Sequence, residues 1–272
     1  VPEVVFATYN LHCGVDGWGR PFDVVSACLQ LEADVLVLQE TFSPEGGESA
    51  ARQLAHKAGY QILEVPMASG WLRSWPVGEP HSPRWRPLSP RQRGGFVSLR
   101  THAKRYNPKG AHPRLSVPGT PGSLGLALLA KGEMVRQERC PLPQLGSDGN
   151  QRWILSAELR LGGTTWSVVG THLAHLEQGS WRQMRALGAY LSGMRNPLVV
   201  MGDMNSWAFP LRAFLRDLRP AVVGKTYPSW RPHSQIDHIL LRGEGLAVLD
   251  ADIPAIASSD HRPARARLSF KG

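Results

Sequence analysis

The chain has 272 residues, is 42% hydrophobic, carries nine Trp and has a formal charge of +9. That hydrophobic content suffices for a core and argues against disorder, and no apolar run approaches the roughly 18–20 residues that a membrane-spanning helix requires. The three cysteines, Cys13, Cys28 and Cys140, have no CxxC spacing, which excludes a zinc site or a disulfide framework and leaves one disulfide plus a free thiol open.

In chain order, several short apolar runs share one design. The opening stretch VPEVVFATYN is strand-like and lacks an initiator Met, which reads as a processed N-terminus and leaves a cytoplasmic or a secreted protein open. Its run 4–10 ends in Asn10, and ADVLVLQE (33–40) ends in Glu40. WSVVGTH (166–172) ends in His172, LVVMGDMN (198–205) ends in Asp203 and Asn205, and SQIDHILL (234–241) carries Asp237 and His238. β-Branched runs of this length read as strands. A polar residue at each strand end brings these groups together at one edge of the sheets. Helical spacing appears at 22–32, at 48–59 with Gly59 as the stop, at 180–194 behind a Ser180 cap, and at 210–218 with Pro210 in the first turn. Strands and helices do not alternate regularly, which weighs against a purely parallel sheet.

The positive charge is one local feature. Residues 72–122 hold ten Lys and Arg but only one acid, Glu79, while the rest of the chain has 21 of each sign. Nine prolines and the aromatics Trp75, Trp85, Phe96 and Tyr106 are interleaved there. Proline at that density excludes long helices and central strands. The stretch reads as a long insertion within a single domain spanning 1–272, with one short strand near RGGFVSLR (93–100). Such a segment attracts polyanions, and Arg84, Arg86, Arg91 and Arg93 are its candidate substrate contacts. The plain alternative is a solvated surface loop.

The polar strand ends make a chemical set. GDMN places a carboxylate and an amide two apart, IDH places Asp237 beside His238, and SSDHRP places Asp260 beside His261. With Asn10, Glu40 and His172 they offer oxygen ligands for a hard cation and histidines for proton transfer. Taken singly, Asp203 and Asn205 are ordinary turn formers and Glu40 a helix-start residue. His12 reads as a group that sits behind the ligands or packs in the core rather than as a ligand, His175 as an exposed loop residue and His238 as structural.

Six motifs in order resemble the endonuclease/exonuclease/phosphatase superfamily: YNLHCG, LVLQE, GTHLAH, GDMNS, TYPSWRPHSQIDHIL and SSDHRPARARL. That superfamily includes deoxyribonuclease I, abasic-site exonucleases, inositol-polyphosphate 5-phosphatases and bacterial sphingomyelinases. The resemblance implies an α+β fold, a four-layer α/β/β/α sandwich of two packed mixed sheets with the site at one end. It implies a metal-dependent phosphoesterase hydrolase in which Asn10, Glu40 and Asp260 hold Mg²⁺ or Mn²⁺. Asp203 orients the attacking water, Asn205 fixes the phosphate or that water, and His172 contacts a non-bridging oxygen. His261 acts as general base or phosphate ligand, oriented by Asp237. The expected partner is nucleic acid or another phosphate ester, acted on by a monomer. A nuclease-type phosphodiesterase is the first reading, and a phosphatase or phosphodiesterase for a small-molecule or lipid phosphate the alternative. The 5-phosphatases carry a WCDR-type motif where this chain reads SQIDHIL, which argues against inositol phosphates. A non-catalytic binding module on the same scaffold would be expected to have lost at least one of these residues.

Overall fold

A computed structural model describes residues 2–17, 19–73, 95–98, 119–256 and 258–271. Strands β1 (Glu3–Asn10), β2 (Val35–Pro44), β3 (Gln61–Arg73), β4 (Gly95–Ser98), β5 (Thr120–Ala130), β12 (Leu246–Asp252) and β13 (Ala264–Phe270) form a seven-stranded sheet in the order β12-β13-β1-β2-β5-β3-β4. Strands β6 (Glu133–Pro141), β7 (Trp153–Leu161), β8 (Thr164–His172), β9 (Leu198–Asp203), β10 (Arg219–Pro220) and β11 (Asp237–Arg242) form a six-stranded sheet in the order β10-β11-β9-β8-β7-β6. Each sheet holds one parallel pair, β1 with β2 and β8 with β9, among antiparallel neighbours.

Each parallel pair is joined through a helix: α1 (Val24–Leu29) lies between β1 and β2, and α3 (Trp181–Ser192) between β8 and β9. Helices α2 (Ala50–Ala58) and α4 (Ala208–Phe214) complete the two outer layers. Asp23 caps α1 by accepting from the Ser26 amide at 3.0 Å, and Ser49 caps α2 by accepting from that of Arg52 at 3.0 Å. Gly59 ends α2 at φ 71°, as its position predicts. Ser180 precedes α3, yet its hydroxyl makes no capping bond. The fourth helix begins two residues before its predicted start and stops at Phe214 rather than 218. Pro210 is tolerated there because the first-turn amides have no intrahelical acceptor.

Three apolar clusters fill the spaces between four layers. One lies between the sheets and is built from alternate residues such as Val4, Phe6, Val35, Val37, Val168, Val199 and Met201. A second packs α1 and α2 on the large sheet, and a third packs α3 and α4 on the small one. Trp166 spans the inter-sheet core, 5.2 Å from Phe6 and 6.2 Å from Phe270 between ring centroids. The fold is therefore the deoxyribonuclease I-like sandwich of two mixed sheets.

The basic stretch sits between β3 and β5, and its first and last residues belong to those strands. β4 pairs antiparallel with β3, consistent with the predicted strand near 93–100. Arg84, Arg86, Arg91 and Arg93 lie outside the described residues. All three cysteines are free thiols, which removes the disulfide option. Among the described residues no helix is long and apolar enough to cross a membrane.

Gly202 is required where β8 and β9 meet. It has φ +149°, and a Cβ there would stand 1.9 Å from the Thr171 carbonyl oxygen. Gly202→Ala is expected to cost on the order of 3 kcal/mol from backbone strain and displacement of β8, read in thermal unfolding as a fall in Tm of roughly 6–12 °C.

Candidate active site

Side-chain alternation decides which strand-end residues face each other. Successive strand residues point to opposite faces. On β9, Val199 and Met201 enter the inter-sheet core while Leu198 and Val200 enter the core beneath the helices. The same parity carries Asp203 to the inter-sheet side. On β11, Ile239 and Leu241 face inward, so Asp237 does too, and Leu240 faces the helices together with His238. Trp166 and Val168 set the inward face of β8 and hence of His172, and Val4 and Phe6 set that of β1 and hence of Asn10. The ladder aligns Asp203 with both His172 and Asp237. The parallel strands deliver their C-terminal ends, and their antiparallel neighbours β11 and β13 deliver the start of β11 and the residues just before β13.

Asp203 is the node. It is only 1% exposed, and its Oδ2 accepts from Asn10 Nδ2 at 3.0 Å, a bond from one sheet to the other. Its Oδ1 accepts from the Asn205 amide at 2.8 Å. The Nε2 atoms of His172 and His261 lie 3.5 Å and 3.9 Å from Oδ2. Asn205, at φ +46°, turns its Nδ2 to the Leu173 carbonyl at 2.9 Å and to within 3.2 Å of His172 Nε2. His261 Nδ1 is 2.9 Å from Asp237 Oδ2, and the Tyr227 ring packs against the imidazole at 4.9 Å. Thr226 Oγ1 receives the Asp237 amide at 3.3 Å and so fixes the start of β11.

Glu40 reaches the cluster through a β-bulge. The β2–β5 register slips between Gln39 and Thr41, and Glu40 adopts φ +53°. A bulged residue leaves the strict alternation and can re-aim its side chain. The Glu40 carboxylate lies 3.5 Å from Asn10 Nδ2 and 4.0 Å from His172 Nε2. Asp260 joins through its neighbours: Ser259 donates to the Asn10 carbonyl at 2.7 Å and lies 3.3 Å from Asp260 Oδ1.

Electrostatics follow from burial. Desolvation, reinforced by the nearby Asp237 charge, pushes the Asp203 carboxyl up to about 7, against the opposing pull of His261, the Asn205 amide and Asn10. Burial opposes charge on His261, but the Asp237 carboxylate and its hydrogen bond, with Asp203 and Asp260, raise it well above the ordinary imidazole range. His172 goes the other way: burial, then the Arg152 guanidinium, drive it well below that range, so it is neutral at pH 7. Asp237 Oδ1 and His172 Nδ1 are buried without a hydrogen-bond partner among the described residues.

The donor set fits a hard divalent cation. Asn10, Glu40, Asp203 and Asp260 supply oxygens, the ligand type such ions prefer. The Glu40 carboxylate is 24% exposed, and among the described residues it meets the long Asn10 contact and the 4.0 Å approach of neutral His172. Asp203, Asp237 and His261 also offer ligand atoms within 4.8 Å of one another. There, however, Asp237 and His261 are bonded to each other, which is the geometry of an oriented imidazole rather than of a metal cage.

The structure thus brings Asn10, Glu40, His172, Asp203, Asn205, Asp237 and His261 into one network, with Asp260 at its edge. His238 donates to or accepts from nothing in that network; its Nε2 pairs with the Ser206 carbonyl at 2.9 Å. His175 is exposed, as expected of a loop residue. His12, read from sequence as a group behind the ligands or in the core, lies at the edge of the network. Its Nδ1 bonds the Val15 carbonyl at 3.1 Å and lies 3.7 Å from Asp260 Oδ1. Burial opposes its charge, yet Asp260 and Glu40 together raise its pKa. The one sequence signal was its place two residues after Asn10, whose Oδ1 accepts the His12 amide at 3.0 Å. The buried Asp148–Arg152 pair, 2.7 Å apart behind His172, had no recognisable signal at all.

No curated protein matches the chain. Among solved structures, it resembles an endonuclease/exonuclease/phosphatase from Beutenbergia cavernae with TM-score 0.67 and 18% identity, over 100% of this chain and 72% of that one. The human Nocturnin catalytic domain with bound sulfate matches with TM-score 0.61 and 18% identity, over 99% and 94%. Sphingomyelinase C from Streptomyces griseocarneus matches with TM-score 0.56 and 19% identity, over 98% and 99%. Those likenesses concern the fold. The family described as Endonuclease/Exonuclease/phosphatase matches residues 7–261, which contain every one of the strand-end polar residues gathered above, and the chain belongs to that family of phosphoester hydrolases.

Proposed function

We propose that this site is a divalent-metal-dependent phosphodiesterase of the nuclease type. The observation that carries the reading is the Asp237–His261 pair set 3.9 Å from Asp203, beside the Asn10–Glu40 oxygens. Bound Mg²⁺ or Mn²⁺, held by Glu40 with Asn10 and Asp260, would supply Lewis-acid polarisation of a phosphoryl oxygen. The chain's own groups do the rest. Asp203, held by Asn10 and the Asn205 amide, orients the attacking water. Asp237 fixes the His261 tautomer and stabilises its cationic form, so Nε2 faces the reacting centre. Neutral His172 and the Asn205 amide meet a non-bridging phosphate oxygen. In-line attack forms the water-oxygen-to-phosphorus bond as the water's proton passes to His261 Nε2, and breaks the ester P–O bond, the departing oxygen taking its proton from solvent water.

The nuclease choice draws on charge. The basic stretch leaves β3 at Arg73 and returns at Thr120, beyond the level of Glu40 on the same sheet end, since Gly122 pairs with Pro44 and Gly125 with Thr41. Its arginines, Arg84, Arg86, Arg91 and Arg93 among them, suit a polyanionic substrate.

Hydrolysis measured in parallel on supercoiled plasmid, single-stranded oligonucleotides and small phosphomonoesters tests this. The expected outcome is plasmid nicking or oligonucleotide cleavage that EDTA abolishes and Mg²⁺ or Mn²⁺ restores. His261→Ala should lower the rate by roughly 10²–10⁴. Phosphate release from a small ester with both polymers intact would overturn the nuclease reading.

Asp237→Asn has a signed pH effect. Asp237 raises the His261 pKa, so its removal lowers that pKa. If neutral His261 is the base, the ascending limb of the pH–rate profile moves to lower pH while the maximal rate falls.

Alanine at Arg84, Arg86, Arg91 and Arg93 should flatten the salt dependence of DNA binding, each lost phosphate contact changing the log–log slope by about 0.9. An unchanged slope measured by titration would remove the segment from substrate binding.

A further inference from the structure

The outer helical layer carries an uncommon surface beside the site. Phe209 is 88% exposed and Trp207 58%, among the most exposed large apolar side chains described. Trp207 follows Asn205 by two residues and Phe209 by four, so their Cα atoms stand within roughly 8 and 15 Å of the Asn205 Cα. Trp181, 47% exposed, opens α3 after the loop from His172. The two helices run side by side: a Cβ on Gly188 of α3 would stand 2.7 Å from the Phe214 carbonyl of α4. Both begin at the sheet end that holds the site, because β8 and β9 end there. The three aromatics therefore lie along one rim.

From Leu173 to Phe214 the chain has four arginines and two carboxylates, Asp203, which is buried in the site, and the exposed Glu177. Arg182, Arg185 and Arg212 are exposed. Two of them already flank Trp181, with Cζ 5.9 Å and 5.5 Å from the ring centroid. Planar guanidinium groups interleaved with exposed rings form a stacking surface for flat π-faces on an anionic backbone.

We infer that Trp207 and Phe209, with Trp181 and the arginines beside it, form a platform for unpaired nucleobases, so that the strand entering the site is single-stranded or frayed. Bases in a duplex present edges, not faces, and cannot stack on a side chain without leaving the helix. Trp207 and Phe209 follow Asn205 by two and four residues, so stacking one or two bases there would hold the adjoining phosphate near Asp203 and His261. The inference rests on the nuclease-type reading for its substrate, but not on turnover for its test.

Binding is measured by fluorescence anisotropy of a labelled oligothymidylate and of the matching duplex, in EDTA so that nothing is cleaved. The wild-type chain should prefer the single strand. Phe209→Ala and Trp207→Ala should each weaken single-strand binding by roughly five- to a hundredfold, with duplex binding changed by less than about twofold, and Phe209→Tyr should restore it. These side chains are on the surface, and an unchanged Tm confirms folding in each variant. Unchanged single-strand affinity in both alanine variants overturns the platform, as does an equal loss on single strand and duplex. Oligothymidylate binding that fails altogether, with phosphatidylserine vesicles bound through Phe209 instead, also overturns it and assigns the rim to lipid. Phe209-dependent binding without Mg²⁺-dependent cleavage leaves the platform standing and overturns the nuclease reading alone.

Discussion

One buried carboxylate organises this molecule. Asp203 ends a fully buried strand and is held from both sheets at once. Taking a charge out of water costs several kcal/mol unless partners repay it. Here the partners come from β1, β8, β11, the turn after β9 and the segment before β13. Each must arrive at the correct height and on the correct face. The depth and the end-alignment of the two sheets are therefore tied to one chemical requirement, while burial and the Asp237 charge raise the Asp203 pKa against the pull of those partners.

The rest of the architecture follows from delivering those partners. Gly170 lets the sheets come close, since a Cβ there would stand 2.8 Å from Val37. The bulge at Glu40 and the left-handed residues His12, Cys13 and Asn205 all lie at the site end. Such conformations cost of order 1–3 kcal/mol each. Four of the five described non-glycine residues with positive φ lie there, Glu32 ahead of β2 being the fifth, which marks where the fold gives up local stability for geometry. The histidines are tuned in opposite senses by the same means. Desolvation acts on both His172 and His261, but His172 meets a guanidinium and His261 meets carboxylates.

Substrate choice is carried outside this frame. The polar network at the strand ends is nearly enclosed, and its residue types suit any phosphate ester. What distinguishes one family member from another lies in its rims and loops. In this chain those are basic and aromatic twice over, in the stretch between β3 and β5 and in the helix starts beyond β8 and β9.

Much of this was readable beforehand because strand-end polar residues after short apolar runs leave a strong local mark. GDMN, IDH and SSDH each stand out against the apolar residues around them, and their order along the chain resembled a known family. The edge strands β6 and β12 were not readable: their exposed faces break the apolar runs. For His12 the sequence left open a place behind the ligands or in the core, because a histidine two residues past a strand has no period to follow. Only the turn that brings it to Asp260 gives it a place. The sequence by itself determined which chemistry the chain carries, since residue types and alternation are local properties. The tertiary structure alone decided which carboxylate is buried among which partners and which histidine is neutral, because burial and distance arise only when segments far apart in the chain meet.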